Sequence, residues 1–498
     1  MGAKTLKILF VTAEVAPFSN VGGLAQVSLF LPRALYKLGV DVRVFTPKYG
    51  IIDSSLLRSA NVITGLQVPT GEKSDSSNPG DLVCNVKTLK KANKGDPHIY
   101  FLENMEYYEK RANVYNYSDD HIRFGLLSRS ALEFVKQGDF VPDVIHANDW
   151  HTGYLINYLK FLYAEDPKLK NIATLFSIHN LYQGLFDFDH ASELDYDDGK
   201  GPLASFFSDQ LLKQNALKRG IIHADLINTV SQTYSHELLT KEYAPKLYNL
   251  FRELRGKMYG VLNGLNYQDF NPKTDNIISA NFSSSNLNPR RENKIALQKE
   301  FNLKVDSRFP ILGIVGRLDD QKGMDLVKET IDFLLTESQI QLVVCGGGDD
   351  RYRDLFVNLE KAYPGMVGTH LLFDPSLPRK IFAGADMILI PSRYEPGGIV
   401  ALEALRYGGV PIVRATGGLA DSVVDYDPTL NIGTGFSFRT YSAMSFLTAV
   451  IRALETYKNK NVWMRIVKRA MEQDFSWDKS AKKYLELYQR AMDFKHQS

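Results

Sequence analysis

The chain has 498 residues, 59 basic against 57 acidic, a net charge of +2, 44% hydrophobic and 23% charged residues. That length exceeds one ordinary core and calls for at least two domains of globular composition, while the balanced charge argues against a dedicated nucleic-acid binder. Two cysteines, Cys84 and Cys345, cannot build a disulfide framework, and no stretch reaches 18 apolar residues, so a cytoplasmic enzyme or binding protein with no membrane partner is expected.

The first element, KILFVTAEV, reads as a buried strand, its apolar run too short for a signal-peptide core. Leu24, Val27, Leu31, Leu35 and Leu38 then recur at helical spacing, with Gly39 the expected stop and VDVRVFTP the next strand. Pro32 should kink that helix or delay its start. A strand–helix–strand unit implies a parallel sheet. TGEKSDSSNPGD, at 70–81, reads as an exposed loop. VPDVIHAND places a strand at about 143–146 and a helix from about 152; IATLFSIHN is another strand, and ADLINTVS a third after a helix at 209–222. Residues 271–294, rich in Asn, Ser and Pro, read as a linker. The pattern restarts with FPILGIVG, IQLVVCGGG, HLLFD, ADMILIPS and GGVPIVRAT, short apolar runs suited to strands covered on both faces. Ala481, Tyr484, Leu485, Tyr488 and Met492 mark a closing helix. The expected fold is α/β, with two doubly wound Rossmann-like domains, 1–270 and 295–475, and a terminal helical segment, 476–498.

One motif occurs twice. VGGLAQV at 21–27 and TGGLADSV at 416–423 each follow a strand and open a helix. A glycine pair there lets backbone N–H groups approach an anion, and two such loops point to a ligand held between the domains; the alternative is a pair of ordinary helix-start turns. Neither is GxGxxG, so a nicotinamide cofactor is not indicated. GRLDDQKG, 316–323, carries Arg317 and Lys322 after a strand, two cations suited to a departing diphosphate, or else a solvated turn. In PSRYEPGGIVALEAL, Glu395 precedes a helix and Glu403 lies two turns on; Glu395 could face ligand hydroxyls or simply favour the helix dipole, and Pro396 can sit near the first turn. HANDWHTG and SIHNLYQG bring His146, His151 and His179 to strand ends, without the spacing of a zinc site, so no metal is expected; the pair Asp187 and Asp189 is short enough to arise by chance.

These stretches, with FVTAEVAPF, YSDDHIRFGLLSRSALEF, LKRGIIHADLINTVSQTY, GVLNGLNYQDFNPKTD and DFSWDKSAKKYLELY, resemble in order and spacing the glycogen and starch synthases, retaining glucosyltransferases of glycosyltransferase family 5 with a GT-B fold. The resemblance covers nearly the whole chain. It implies glucose transfer from a nucleotide-glucose donor, ADP-glucose first and UDP-glucose second, to the non-reducing end of an α-1,4-glucan. No cofactor or metal is implied. The N-terminal domain would be the acceptor side and the C-terminal domain would bind the nucleotide sugar across a deep cleft, with the last helix crossing back.

The resemblance also implies roles. Arg317 and Lys322 would hold the diphosphate, His179 and Asn180 the transferred glucose, with Asn263 close to it and Glu395 at its hydroxyls. Thr416, Gly417 and Gly418 would present N–H groups to sugar and phosphate, and Gly22, Gly23 and Leu24 would close over the diphosphate. Glu14, Asp149, Trp150 and His151 fall on the acceptor side. The chain departs from the family pattern at Asn20, where a Lys is usual, at Gln26, usually Asp, and at Glu395-Pro-Gly-Gly-Ile, usually EPCGL. HNLYQG is one residue short, NGID is Asn263-Gly-Leu-Asn266, and Glu403 restores an E-x7-E spacing whose second acid tends to contact ribose in related transferases. Asn20 and Glu403 therefore bear on the donor. Two alternatives stand beside this reading: another retaining GT-B transferase with a different donor or a small acceptor, and a catalytically weak glycan-binding protein.

Overall fold

In a computed structural model, which describes residues 5–57, 61–73, 78–90, 95–181, 195–372 and 374–497, the apolar runs become two separate sheets. Asp187, Asp189 and the end of SIHNLYQG lie outside the described residues. The chain divides into one unit of Met1–Val230, Ser235–Gly264 and Trp477–Ser498, and a second of Ser231–Tyr234 and Leu265–Ser476.

The first unit carries β1 (Lys7–Val11), β2 (Asp41–Pro47), β3 (Ile63–Pro69), β4 (Asp81–Thr88), β5 (His98–Glu103), β6 (Val144–Asn148), β7 (Ala173–Ile178), β8 (Leu226–Thr229) and β9 (Met258–Gly260). Their order is β3-β4-β5-β2-β1-β6-β7-β8-β9, parallel from β5 to β9 with an antiparallel hairpin, β3–β4, at one edge. The loop expected at 70–81 joins the two hairpin strands. Strand order reverses between β1 and β6, so the segments leaving their carboxyl ends diverge and open a crevice there. Those segments begin at Thr12 and at Asp149.

Helix Gly23–Lys37 follows β1 and runs through Pro32 without a break. The helix starts at Gly23, so the expected delay of its start does not occur. Pro32 is buried with Leu31 and Leu35 on the face turned to the core, so packing compensates for the one N–H it lacks. The helix expected over 209–222 is two, Asp209–Lys213 and Ala216–His223, because Gln214 and Asn215 are extended and the Asn215 side chain caps the second by accepting the Lys218 N–H. Helix Trp477–Gln497 belongs to this unit; Tyr484 and Tyr488 are buried, and their hydroxyls bond Asn228 Nδ2 (3.0 Å) and His146 Nδ1 (2.9 Å).

The second unit carries β10 (Ile311–Val315), β11 (Gln341–Cys345), β12 (Val367–His370), β13 (Met387–Ile390), β14 (Val410–Arg414) and β15 (Phe436–Phe438), all parallel, in the order β12-β11-β10-β13-β14-β15. The strand expected at HLLFD lies earlier and ends at His370. Here the order reverses between β10 and β13, whose exits lead to Arg317 and Glu395.

Residues 271–294 are not a linker. Ile278 and Phe282 sit in the core of the second unit, Asn293 exchanges two hydrogen bonds with Ala280, and helix Arg290–Glu300 begins within the stretch. Asn281 donates to the carbonyls of Pro272 and Asp275. The asparagines that made the composition linker-like serve as backbone surrogates in turns.

Candidate active site

In the first unit the segment after β1 turns back on itself. Glu14, 4% exposed, accepts the N–H groups of Val21 (2.7 Å) and Gly22 (3.1 Å) on Oε2 and the Tyr115 hydroxyl (2.6 Å) on Oε1. The Gly22 N–H, expected to face an anion, thus has one within the chain. Asn20, Val21, Gly22 and Gly23 are exposed and Leu24 is buried. A methyl added at Gly22 would meet none of the described residues within 4 Å.

After β6, Asp149 holds φ at +56° and is buried. With ψ at 179° this is extended backbone at positive φ, outside the left-handed helical well and costly for any residue with a side chain. The turn aims its Oδ1 at the His179 N–H, 2.7 Å away, past the end of β7. Burial pushes the Asp149 carboxyl up to about 7, backbone N–H bonds from His179 and Asn180 oppose the rise, and the charge of Glu14 adds to it.

The His179 tautomer follows from its neighbour. Asn148 Nδ2 donates to the carbonyls of Val11 (3.0 Å) and His146 (3.2 Å), which leaves its Oδ1 to accept from His179 Nε2 at 3.0 Å. His179 Nε2 therefore carries the proton, and Nδ1 is an acceptor with no hydrogen-bond partner among the described residues. Burial holds this imidazole down at about 4, so it is neutral at neutral pH. Asn180, next in the chain, is partly exposed. Asn263 Oδ1 is likewise buried and unpartnered among the described residues.

Trp150 and His151 point inward. They are 4% and 0% exposed, and the His151 ring lies 4.2 Å from that of Trp150, 4.7 Å from Tyr115 and 4.8 Å from Phe124, centroid to centroid. His146 is not at a strand end but within β6, with its Nε2 on Ser177 Oγ at 2.7 Å. The three histidines do not converge.

In the second unit β10 leads into a one-turn 3-10 helix, Asp320–Lys322, capped by Asp319 Oδ1, which accepts the Lys322 N–H at 3.0 Å. Gly323 follows at φ +74°, where a methyl would stand 2.1 Å from the Pro391 carbonyl. Glycine there lets the turn lie against the segment after β13, and the Arg393 N–H donates to the Gln321 carbonyl at 2.8 Å. This close approach joins Lys322 Nζ to Glu395 Oε2 at 2.5 Å, with Ser392 Oγ donating to the same oxygen at 3.2 Å. The side chains of Lys322 and Glu395 are 22% and 14% exposed. Arg317 is different: its side chain is 61% exposed, 2.9 Å from Asp319 Oδ2 and 2.8 Å from Gln321 Oε1.

The second glycine turn packs on the same segment. The Gly418 N–H donates to the Glu395 carbonyl at 2.9 Å, and methyls at Gly417 and Gly418 would fall 2.2 Å from Glu395 O and 2.3 Å from Gly397 O. Thr416 is buried as the N-cap of this short helix, Gly417–Ser422. Pro396 sits just ahead of the first turn. Helix Ile399–Arg406 begins three residues later, with Gly398 at φ +64° before it. Glu403 lies in that helix, where burial pushes its carboxyl up to about 7 against the pull of Arg379.

The site residues thus form two sets, Glu14, Asn20, Gly22–Leu24, Asp149, His179, Asn180 and Asn263 in the first unit and Arg317, Lys322, Glu395, Glu403 and Thr416–Gly418 in the second. Sequence reading missed four positioning residues. Asn148 orients His179, Tyr115 holds Glu14, Ser392 shares Glu395, and Ser231 Oγ donates to the Pro396 carbonyl at 2.7 Å. Asn148 inside HANDW, Ser231 inside LINTVSQTY and Ser392 inside PSRYEP, three residues before Glu395, all lie in motifs the sequence marks; Tyr115 acts across 101 residues. Among the described residues no three His, Cys, Asp or Glu side chains are grouped to hold a metal ion, and no helix is long and apolar enough to cross a membrane.

Residues 7–253 match the family described as starch synthase catalytic domain, and residues 297–470 match glycosyl transferases group 1. A glycogen synthase of Clostridium novyi (strain NT) is 41% identical over 97% of this chain and 98% of its own length, and one of Thermotoga maritima is 40% identical over 98% and 99%. Among solved structures, the catalytic domain of starch synthase IV from Arabidopsis thaliana, bound to ADP and acarbose, is 31% identical with a TM-score of 0.83 over 98% of this chain and 100% of that one. A sucrose-phosphate synthase from Thermosynechococcus elongatus, 17% identical with a TM-score of 0.54 over 97% and 98%, shares the fold.

Proposed function

The chain belongs to the glycogen and starch synthase family of glycosyltransferases, and on that premise we propose that it moves glucose from ADP-glucose to the non-reducing end of an α-1,4-glucan with retention at the anomeric carbon. The observation that carries this reading is the pairing of Lys322 with Glu395 at the strand-order reversal of the second sheet. It puts a cation for a diphosphate beside an acid for sugar hydroxyls. ADP and acarbose, a nucleotide and a glucan mimic, are the ligands of the Arabidopsis relative, which supports the same pair of substrate classes.

In this reading Arg317 and Lys322 take the donor diphosphate, and their charge stabilises it as it leaves. The bond from the glucose C1 to the phosphate oxygen breaks, the acceptor O4 bonds C1 on the same face, and the O4 proton passes to the departing diphosphate. Glu395 accepts from hydroxyls of the transferred glucose. His179, neutral with Nδ1 as a bare acceptor, takes another sugar hydroxyl, as does Asn263 Oδ1. Asp149 fixes the His179 backbone on the acceptor side, and next to Asp149 in the chain the rings of Trp150 and His151 pack on each other. The two arginine and lysine cations supply the positive charge, so no metal or cofactor is called for. A cytoplasmic location suits a nucleotide-sugar donor.

Purified protein incubated with glycogen and labelled ADP-glucose or UDP-glucose tests the reading. Transfer is expected from ADP-glucose in excess of UDP-glucose; no incorporation from either overturns it. Asn20→Lys is expected to raise donor affinity by adding a cation near the diphosphate. An unchanged donor KM and preference would remove this position from donor selection.

A further inference from the structure

The cation and the acid expected to grip the two halves of the donor already grip each other. Lys322 Nζ and Glu395 Oε2 are 2.5 Å apart and both side chains are largely buried. Their backbones cannot drift apart easily. Asp319 caps the Lys322 turn, the Arg393 N–H binds the Gln321 carbonyl, and Gly418 holds the Glu395 carbonyl. Any parting of the pair is therefore a side-chain rotation. Arg317 differs, since its exposed pairing with Asp319 is screened by water and redirected at little cost. Separating Lys322 from Glu395 leaves two poorly solvated charges, and each then needs a new partner.

Resting on the donor reading above, we propose that this ion pair is an exchange element that favours the intact nucleotide sugar over the nucleotide product. A nucleotide-glucose offers phosphate oxygens to Lys322 and hydroxyls to Glu395, so both charges are satisfied when the pair opens. Glu395 Oε1 makes no hydrogen bond among the described residues, so a sugar hydroxyl can engage the acid before Lys322 lets go. Once glucose has gone to the acceptor, the nucleoside diphosphate still holds Lys322 but provides nothing for Glu395. Glu395 then reclaims Lys322, and the product is released. Glu395 acts here on the leaving product, a role separate from contacting the sugar.

The test is ADP binding by calorimetry to wild type, Glu395→Gln, Lys322→Ala and the double variant, with folding checked by circular dichroism. Glu395→Gln is expected to bind ADP at least threefold tighter while glucose transfer falls. Lys322→Ala should weaken ADP at least tenfold, and adding Glu395→Gln to it should bring no tightening. Glu395→Ala, should the glutamine variant fold poorly, is expected to move ADP affinity in the same direction. ADP binding that is unchanged or weaker without the carboxylate overturns the exchange, as does a tightening that persists without Lys322. A wild type that transfers glucose but shows no tightening in the variants loses the exchange alone. A wild type that binds neither ADP nor UDP loses the exchange and the donor reading together.

Discussion

Two turns in this molecule share the letters G-G-L-A and a place at the start of a helix, yet their glycines answer to different demands. At Gly22 a side chain would meet none of the described residues, and the turn is held by the carboxylate of Glu14 on its N–H groups. At Gly417 and Gly418 there is no space at all, because the backbone of Glu395 to Gly398 lies against both α-carbons. The second pair makes room for the protein itself and thereby presents Glu395 to Lys322. The first leaves its outer face unfilled. One motif thus covers an accessible loop and a packing requirement, and only neighbours distant in sequence tell them apart.

The comparison makes measurable claims. Gly418→Ala should be the most damaging: a methyl 2.3 Å from the Gly397 carbonyl forces the Glu395 segment to move, at about 3 kcal/mol or more in stability, read by denaturant unfolding. Glucose transfer should fall with it. A stable, active Gly418→Ala protein would break the packing account.

Next is the pH response of the first unit. The Asp149 carboxyl ordinarily titrates at 3.8 and is raised to about 7 in the fold, so the folded state holds the proton that the unfolded chain gives up. Its stabilisation is complete at low pH and is lost as pH rises from about 4 to about 7, on the order of 4 kcal/mol. Asparagine matches aspartate in shape at this backbone and does not titrate. The stability of wild type minus that of Asp149→Asn should therefore shrink steadily across that window, and a pH-independent difference would mean the carboxyl is ionised in the fold.

Glu14→Ala removes the acceptor from two N–H groups and one hydroxyl and should cost about 2 kcal/mol, since hydrogen bonds to a charged group are worth more than neutral ones. If the turn positions the donor loop, donor KM rises and glucan KM does not. Smallest of all, Gly22→Ala should change stability by no more than about 0.5 kcal/mol, the range of unconstrained surface substitutions. A change in donor KM without a change in stability would identify that open space as ligand space.

Much of the fold was legible in the chain because strands buried on both faces announce themselves as short apolar runs. Two of the misread stretches share a cause. Residues 271–294 have a linker's composition, but their asparagines bond backbone and Ile278 and Phe282 reach the core. The helix at 209–222 has continuous periodicity, but Asn215 supplies a cap that starts a new one. In each case a side chain's polar bond outweighed the local pattern. For the site, spacing after strands picked out Arg317, Lys322, Glu395 and His179, since strand ends are where parallel sheets expose chemistry. It left out Asn148, Tyr115, Ser231 and Ser392, whose contribution is to aim another residue.

The sequence by itself determined that there are two parallel sheets, which loops leave their carboxyl ends, and to which family the chain belongs, because these rest on periodicity and on motifs within a few residues. Tertiary structure decided what those loops touch. Lys322 meets Glu395 across 73 residues, Tyr115 meets Glu14 across 101, and the tautomer of His179 follows from Asn148 across 31. The physical reason is that a hydrogen bond or ion pair depends on positions to within a few tenths of an ångström, and those are set by strand order and close backbone approach, which no local pattern encodes.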